Sequence, residues 1–250
     1  FDGSDQDLGF AFNAALGDLD GDGDLDAFLA RMEANSVLLN DGNGIFSDTG
    51  QQLGKAISAS VGLVDVDGDG DLDAVTAGWD EPALVWINDG MGTFTEYDKW
   101  LTGSHVHVHD LALGDLDGDG DVDAFLVTAS GHPNQVWLNE GDGTFINTGQ
   151  SLHSSLSHGI SLGDLDGDGD LDAVTAHGNL SGKSGGRIWI NDGKGQFRDS
   201  DFALGVLYST AAALGDVDFD GDLDIFLAHG ETWRESGGDL VNEVWINQTE

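Results

Sequence analysis

Residues 17–27 read GDLDGDGDLDA, and the tract returns four times: DVDGDGDLDA at 65–74, DLDGDGDVDA at 115–124, DLDGDGDLDA at 164–173 and DVDFDGDLDI at 216–225. Measured from Asp18, the steps between copies are 47, 50, 49 and 52 residues. A self-similar tract at near-constant spacing marks a repeat architecture, in which each repeat is one structural unit.

Working outward, each copy sits in the same setting. An alternating apolar segment leads in, as in Ile160-Ser161-Leu162-Gly163, and a second leads out, as in Leu171-Asp172-Ala173-Val174-Thr175. After a variable stretch comes a third segment: Val85-Trp86-Ile87-Asn88, Val136-Trp137-Leu138-Asn139, Ile188-Trp189-Ile190-Asn191 or Val244-Trp245-Ile246-Asn247. A turn such as Asp89-Gly90-Met91-Gly92 then opens a fourth segment at Phe46, Phe94, Phe145 or Phe197. Period-two alternation, β-branched and aromatic residues and Gly/Asn/Asp turns predict strands, and no stretch carries a helical period. Four short antiparallel strands per repeat of about fifty residues predict an all-β, five-bladed β-propeller.

The fifth unit stops after its third segment, at Asn247-Gln248-Thr249-Glu250, whereas residues 1–9 (FDGSDQDLG) match residues 46–54 (FSDTGQQLG), a fourth segment. The expectation is one domain over residues 1–250, its ring closed by the N-terminal strand completing the last blade, so that no sheet edge is left open. A chain that starts at Phe1 rather than Met is expected to be a processed product or part of something longer.

The acids number 47 against 8 Lys plus Arg, a formal net charge of -39, with no cysteine. There is no disulfide framework or zinc-thiolate site to consider, and no apolar run long enough for a transmembrane helix. The charge argues against nucleic acid and against anionic membrane as partners, because both would be repelled. It suits a salty or calcium-rich exterior, so an extracellular or cell-surface location is expected.

Within 18–26 the carboxylates stand at positions 1, 3, 5, 7 and 9 with Gly23 at 6. Calcium takes six to eight oxygen ligands, and positions 1, 3, 5 and 9 with a glycine at 6 repeat the first nine positions of an EF-hand loop. Position 7 there contributes its carbonyl, so Asp24 is expected to ligate through its main chain. The candidate ligands are Asp18, Asp20, Asp22, Asp24 and Asp26 in loop 18–26; Asp65, Asp67, Asp69, Asp71 and Asp73 in 65–73; Asp115, Asp117, Asp119, Asp121 and Asp123 in 115–123; Asp164, Asp166, Asp168, Asp170 and Asp172 in 164–172; and Asp216, Asp218, Asp220, Asp222 and Asp224 in 216–224. The twelfth position, a bidentate Glu in an EF-hand, is Leu29, Thr76, Leu126, Thr175 or Leu227, so a strand rather than a helix should follow each loop. Without a cation the clustered carboxylates would repel one another. About five structural Ca2+ ions would bring the net charge to about -29.

These loops resemble the FG-GAP/VCBS repeats of integrin α-subunit propellers, of some fungal and bacterial lectins and of many secreted bacterial proteins. The resemblance covers nearly the whole chain and implies calcium ligands at the aspartates named above. The literal Phe-Gly and Gly-Ala-Pro signature is replaced by Ala15-Leu16-Gly17-Asp18 and its counterparts. Integrin-like partner recognition is therefore not carried over. Propellers of the family are often seven-bladed, so five blades would be a departure.

Strand order puts the Asp loops and the Gly-rich turns on one face and the irregular loops on the other. All eight histidines fall in segments of the second face, as do six of the eight cations, Arg187 and Arg234 among them. Trp79, Trp100 and Trp233 break the repeat there, whereas Trp86, Trp137, Trp189 and Trp245 keep its register and are expected in the core. His109 and His158 each lie six residues before their loop's first Asp; His177 and His229 each lie five after its ninth-position Asp. The candidate ligand-binding set is therefore Trp79, Trp100, Trp233, His109, His158, His177, His229, Arg187 and Arg234. An aromatic ring beside hydrogen-bonding groups suits a small polar ligand such as a sugar, and clustered imidazoles can hold a transition metal. The expected function is a secreted, non-enzymatic binding or adhesion module for a glycan or protein surface. No catalytic residue stands out, since the nucleophile and zincin motifs are absent. The rivals are a polysaccharide lyase or hydrolase using second-face His and Arg, and a spacer in a large surface protein.

Overall fold

The alternating segments become strands. The computed structural model describes residues 6–55, 57–79, 82–97, 101, 106–129, 131–152, 156–178, 185–205, 208–230 and 241–248. Among them there is no helix. The strands form five antiparallel sheets, each a meander in chain order. The first holds β1 (Asn13–Gly17), β2 (Asp26–Ala30), β3 (Ser36–Asn40) and β4 (Phe46–Asp48). The second holds β5 (Ile57–Val64), β6 (Asp73–Trp79), β7 (Leu84–Asn88) and β8 (Phe94–Glu96). The third holds β9 (Val108–Gly114), β10 (Asp123–Thr128), β11 (Gln135–Asn139) and β12 (Phe145–Asn147). The fourth holds β13 (Ser157–Gly163), β14 (Asp172–His177), β15 (Gly186–Asn191) and β16 (Phe197–Leu204). The fifth holds β17 (Ser209–Gly215), β18 (Asp224–His229) and β19 (Glu243–Trp245). The number of sheets matches the five blades expected. The fifth has three strands and no sheet is closed among the described residues; of residues 1–9, expected to supply its fourth strand, 1–5 lie outside the described residues and 6–9 form no strand.

The chain forms two compact units, one of residues 1–107 with 141–144 and one of residues 108–140 with 145–250. Each is built by sheet-on-sheet packing with first strands adjacent: β1 with β5 in the first unit, β9 with β13 and β13 with β17 in the second. The repeat dictates the same core each time. In the first unit Phe28 meets Phe94 edge-on, ring centres 5.3 Å apart, among Leu19, Val37, Val61 and Trp86. In the second, Phe125 and Phe197 repeat the contact at 5.2 Å, among Leu116, Val136, Ile160 and Trp189. The glycine that ends β1, β9 and β13 is a seat for the next sheet, whereas β5 ends on Val64. An added Cβ on Gly17 would strike Leu72 and one on Gly114 would strike Leu171, so any larger residue would hold the sheets apart.

The in-register tryptophans divide by the residue at the loop's twelfth position. Trp86 and Trp189 are buried, and their indole N–H groups donate to Thr76 and Thr175 at 2.8 and 2.9 Å. Leu126 and Leu227 at that position cannot accept. Trp137 and Trp245 are half-buried and donate instead to Gln135 and Glu243, two residues earlier on their own strands. A buried indole needs an acceptor, so the expectation of four core tryptophans holds for two of them.

The Asp loops run as drawn from the sequence, with a strand following each. The fourth and sixth positions need positive φ, and glycine fills them (Gly21 at 77°, Gly23 at 93°) in every loop but the last. There Phe219 takes the fourth position at φ 64°, 90% exposed. A left-handed conformation costs a non-glycine residue ~1–2 kcal/mol, and the exposed ring returns no burial. Phe219→Gly is expected to stabilise the protein by about 1 kcal/mol in urea denaturation with calcium present; no gain would show the strain to be offset elsewhere.

Candidate functional site

At the loop end of each sheet the ninth-position carboxylate is buried and fully engaged. Asp73 accepts the Val66 N–H at 3.0 Å through one oxygen and the Asn88 N–H at 2.8 Å through the other. Asp26, Asp123, Asp172 and Asp224 repeat the pair with Leu19 and Asn40, Leu116 and Asn139, Leu165 and Asn191, and Val217 and Asn247. The first-position carboxylate wraps the loop, as Asp65 does by accepting the N–H groups of Gly68 and Gly70. The seventh-position side chains of Asp24, Asp71 and Asp170 turn away, against Gly42, Gly90 and Gly193 of the turn between third and fourth strands. That agrees with main-chain ligation by the seventh residue and puts loop and turn at the same end of the sheet.

In every loop three carboxylates bring one oxygen each within 4.8 Å of one another: Asp18, Asp20 and Asp22; Asp65, Asp67 and Asp73; Asp115, Asp117 and Asp123; Asp164, Asp166 and Asp172; Asp216, Asp218 and Asp224. Burial, with the charge of neighbouring carboxylates, pushes Asp20, Asp67, Asp117, Asp166 and Asp218 above the usual range. Burial pushes Asp73, Asp123 and Asp172 to about 6, against the pull of their backbone hydrogen bonds. Convergent hard oxygens that resist ionising together are what a hard divalent cation relieves, so the clusters could hold metal ions.

The other end of the sheets carries the irregular side chains. In the first unit Trp79, at the end of β6, lies 5.9 Å from Phe12, and Phe12 lies 5.1 Å from Phe10 at 81°. All three are exposed, at 36, 40 and 67%. Phe12 and Phe10 escaped the sequence reading, although Phe12 stands six residues before its loop, the register of His109 and His158.

In the second unit the structure brings His109 and His158 together. Their Nδ1 atoms are 3.2 Å apart and their ring centres 4.9 Å apart, with planes 20° from parallel. Tyr208, which keeps no register, bonds His158 Nε2 at 2.6 Å. Burial, aided by His109, holds the His158 pKa down at about 4. His177 and His229 stand apart from this group. His177 is buried, with its Nε2 2.7 Å from Thr175 and its Nδ1 3.4 Å from Ser157. His229 bonds Ser209 at 3.1 Å, and its Nε2 lies 3.6 Å from Glu243. Arg187 pairs with Asp199 across β15 and β16. Trp100, Trp233 and Arg234 lie outside the described residues.

The model of the FG-GAP-like repeat matches at residues 18–76, 65–126, 125–175 and 164–227. No curated protein matches the chain. Among solved structures, an Agrocybe aegerita lectin described for its specific recognition of non-reducing terminal N-acetylglucosamine is similar at 24% identity and TM-score 0.55. The match covers 86% of this chain and 60% of the lectin. BBS1N in complex with ARL6DN is similar at 10% identity and TM-score 0.55, covering 88% of this chain and 66% of that one. The V. cholerae biofilm matrix protein Bap1 is similar at 19% identity and TM-score 0.52, covering 80% of this chain and 30% of Bap1. The chain thus spans less than two thirds of each, and at these identities they share its fold.

Proposed function

This chain belongs to the FG-GAP-like repeat family, and on that premise we propose that it is a calcium-stabilised, non-enzymatic carbohydrate-binding module acting outside the cell. The observation that carries the binding role is the exposed aromatic edge of Trp79, Phe12 and Phe10. An indole backed by a second ring presents an apolar face to the C–H side of a pyranose. The Asp loops support calcium: the first, third, fifth and ninth aspartates offer side-chain oxygens and the seventh its carbonyl. The ion would supply the positive charge that lets these carboxylates ionise side by side. A second reading, a polysaccharide lyase or hydrolase, rests on the bond between Tyr208 and His158.

Closure of a five-bladed ring belongs to the proposal. Gln51 and Gln150, just past a fourth strand, each clamp the turn of the following sheet by accepting from Phe94 or Phe197 N–H and donating to Gly92 or Gly195 C=O. Gln6 holds Phe46 and Gly44 in the same way. Leu214 and Leu223 of the fifth sheet pack over Gly163, but among the described residues nothing stands within 4 Å of a Cβ built on Gly215. In the first sheet the equivalent leucines, Leu16 and Leu25, are exposed. In the proposed ring these leucines would seat over Gly215, as Leu72 does over Gly17 and Leu171 over Gly114.

Three experiments bear on this. Excess EDTA at pH 7 is expected to lower the melting temperature markedly, and the gap between calcium and EDTA should shrink as pH falls from 6 to 4. The sign follows from Asp73, Asp123 and Asp172, whose folded pKa of about 6 exceeds the ordinary value: their protonated forms stabilise the metal-free fold below that ordinary value, and the gain is lost as pH rises through about 6. An unchanged melting curve in EDTA would sink the calcium role. On a glycan array with calcium, including N-acetylglucosamine-terminated glycans, Trp79→Ala should weaken binding by at least about tenfold; retained binding, or turnover of a polysaccharide by the unaltered protein, would replace this reading. Cysteines placed at Leu25 and Gly215, the only ones in the chain, should be joined within a monomer by a short bis-maleimide, whereas products linked only between chains would overturn closure.

A further inference from the structure

His109 and His158 stand at the same register of successive first strands, β9 and β13, so the repeat sets two imidazoles side by side at one height. From their geometry we infer that the pair is a binding site for one late first-row divalent ion, copper or zinc, ligated by His109 Nδ1 and His158 Nδ1 and independent of the Asp loops. The reading stands apart from the carbohydrate proposal, whose aromatic edge lies in the other compact unit.

Two separate distances agree with it. Imidazole nitrogens bind zinc at about 2.05 Å, so two of them 3.2 Å apart would subtend about 100° at the ion, close to the tetrahedral angle. With that angle, and each ring centre roughly 3.2 Å from the ion, the centres should lie about 5.0 Å apart; they lie 4.9 Å apart. The ring planes lie 20° from parallel, and the two Nδ1 atoms are nearer to one another than the ring centres are.

The outer atoms fit as well. A ligating histidine as a rule donates its other ring N–H to a nearby acceptor, which fixes the tautomer. His158 Nε2 is 2.6 Å from the Tyr208 hydroxyl, which accepts that proton when Nδ1 holds the metal. Gly178 makes the approach possible, because a Cβ there would run into both Tyr208 and His158. Asp110, the next residue on β9, is turned to the Ile160 N–H and is not part of the set. Nitrogen donors select copper and zinc over the hard ions that the aspartates favour, so calcium in excess should not compete. Two protein ligands leave the remaining positions to water or to an oxygen of an incoming ligand.

The test is Cu2+ titration of the intact protein in saturating calcium, read by electron paramagnetic resonance. The expected signal is one copper per chain with hyperfine splitting from two imidazole nitrogens. It should be lost in His109→Asn and in His158→Asn and unchanged in His132→Asn, a histidine elsewhere on the surface. Tyr208→Phe keeps both ligands and should weaken binding by roughly 10–100-fold. The spectrum of the unaltered protein decides by itself if a variant fails to fold: an all-oxygen signature overturns the site. So does a two-nitrogen signal that survives His109→Asn.

Discussion

One buried carboxylate per repeat, at the ninth loop position, is the interaction the rest of this structure leans on. Asp73 fixes the second residue of its own loop and the last residue of the third strand at once, through two backbone N–H groups. That last residue is an asparagine whose side chain reaches the neighbouring sheet, where Asn88 Nδ2 donates to Leu19 C=O at 2.9 Å. Leu19 in turn gives its N–H to Asp26. Loop, third strand and adjacent sheet are thus tied by a chain of hydrogen bonds that passes through each ninth-position aspartate. Asn191 to Leu116 and Asn247 to Leu165 repeat the link in the second unit. Buried charges and amides are costly unless fully partnered, and here both carboxylate oxygens have donors. At Asp73, Asp123 and Asp172 burial keeps the carboxylate hard to ionise even so, which is the physical opening for a cation close by.

This is also why so much of the fold could be read from the chain. The loop tract and the third-strand Asn do one job in every repeat, and the Gly seats and the fourth-strand Phe in most of them, so each recurs at fixed spacing. Strand order and the positions of the Asp loops followed directly. The split among the tryptophans did not, because it depends on whether Thr or Leu sits across the ladder at the twelfth position. Nor did the separation of the four histidines. His177 and His229 share a register with one another, yet their side chains turn to Ser157 and Ser209 of the neighbouring first strands. Register fixes height along a strand, but the partner across the ladder decides what a side chain meets. Tyr208 carried no signal at all, since it lies outside the repeat and acts through a single contact.

The two ends of the sheets answer to different constraints. At the loop end the first- and ninth-position aspartates and the third-strand asparagines are committed to wrapping the loop or joining sheets, so a change at one of them propagates into stability. At the other end the position six residues past the ninth Asp is Met32, Trp79, Ala129, Gly178 or Gly230. No backbone requirement of the repeat specifies it. That freedom is what lets one scaffold present different chemistry from blade to blade.

The contrast between the second and fourth sheets makes the point physically. Trp79 projects an indole at this position, and with Phe12 from the neighbouring first strand it makes an apolar edge open to solvent. In the fourth sheet the same position is Gly178, and the missing side chain is the space that His158 and Tyr208 occupy. A bulky residue there would displace the tyrosine from the histidine; a glycine at position 79 would leave Phe12 without its partner ring. Side-chain volume at this one register position thus sets how much room the rim has, and the residues beside it, Phe12 or His158 and Tyr208, set what fills that room.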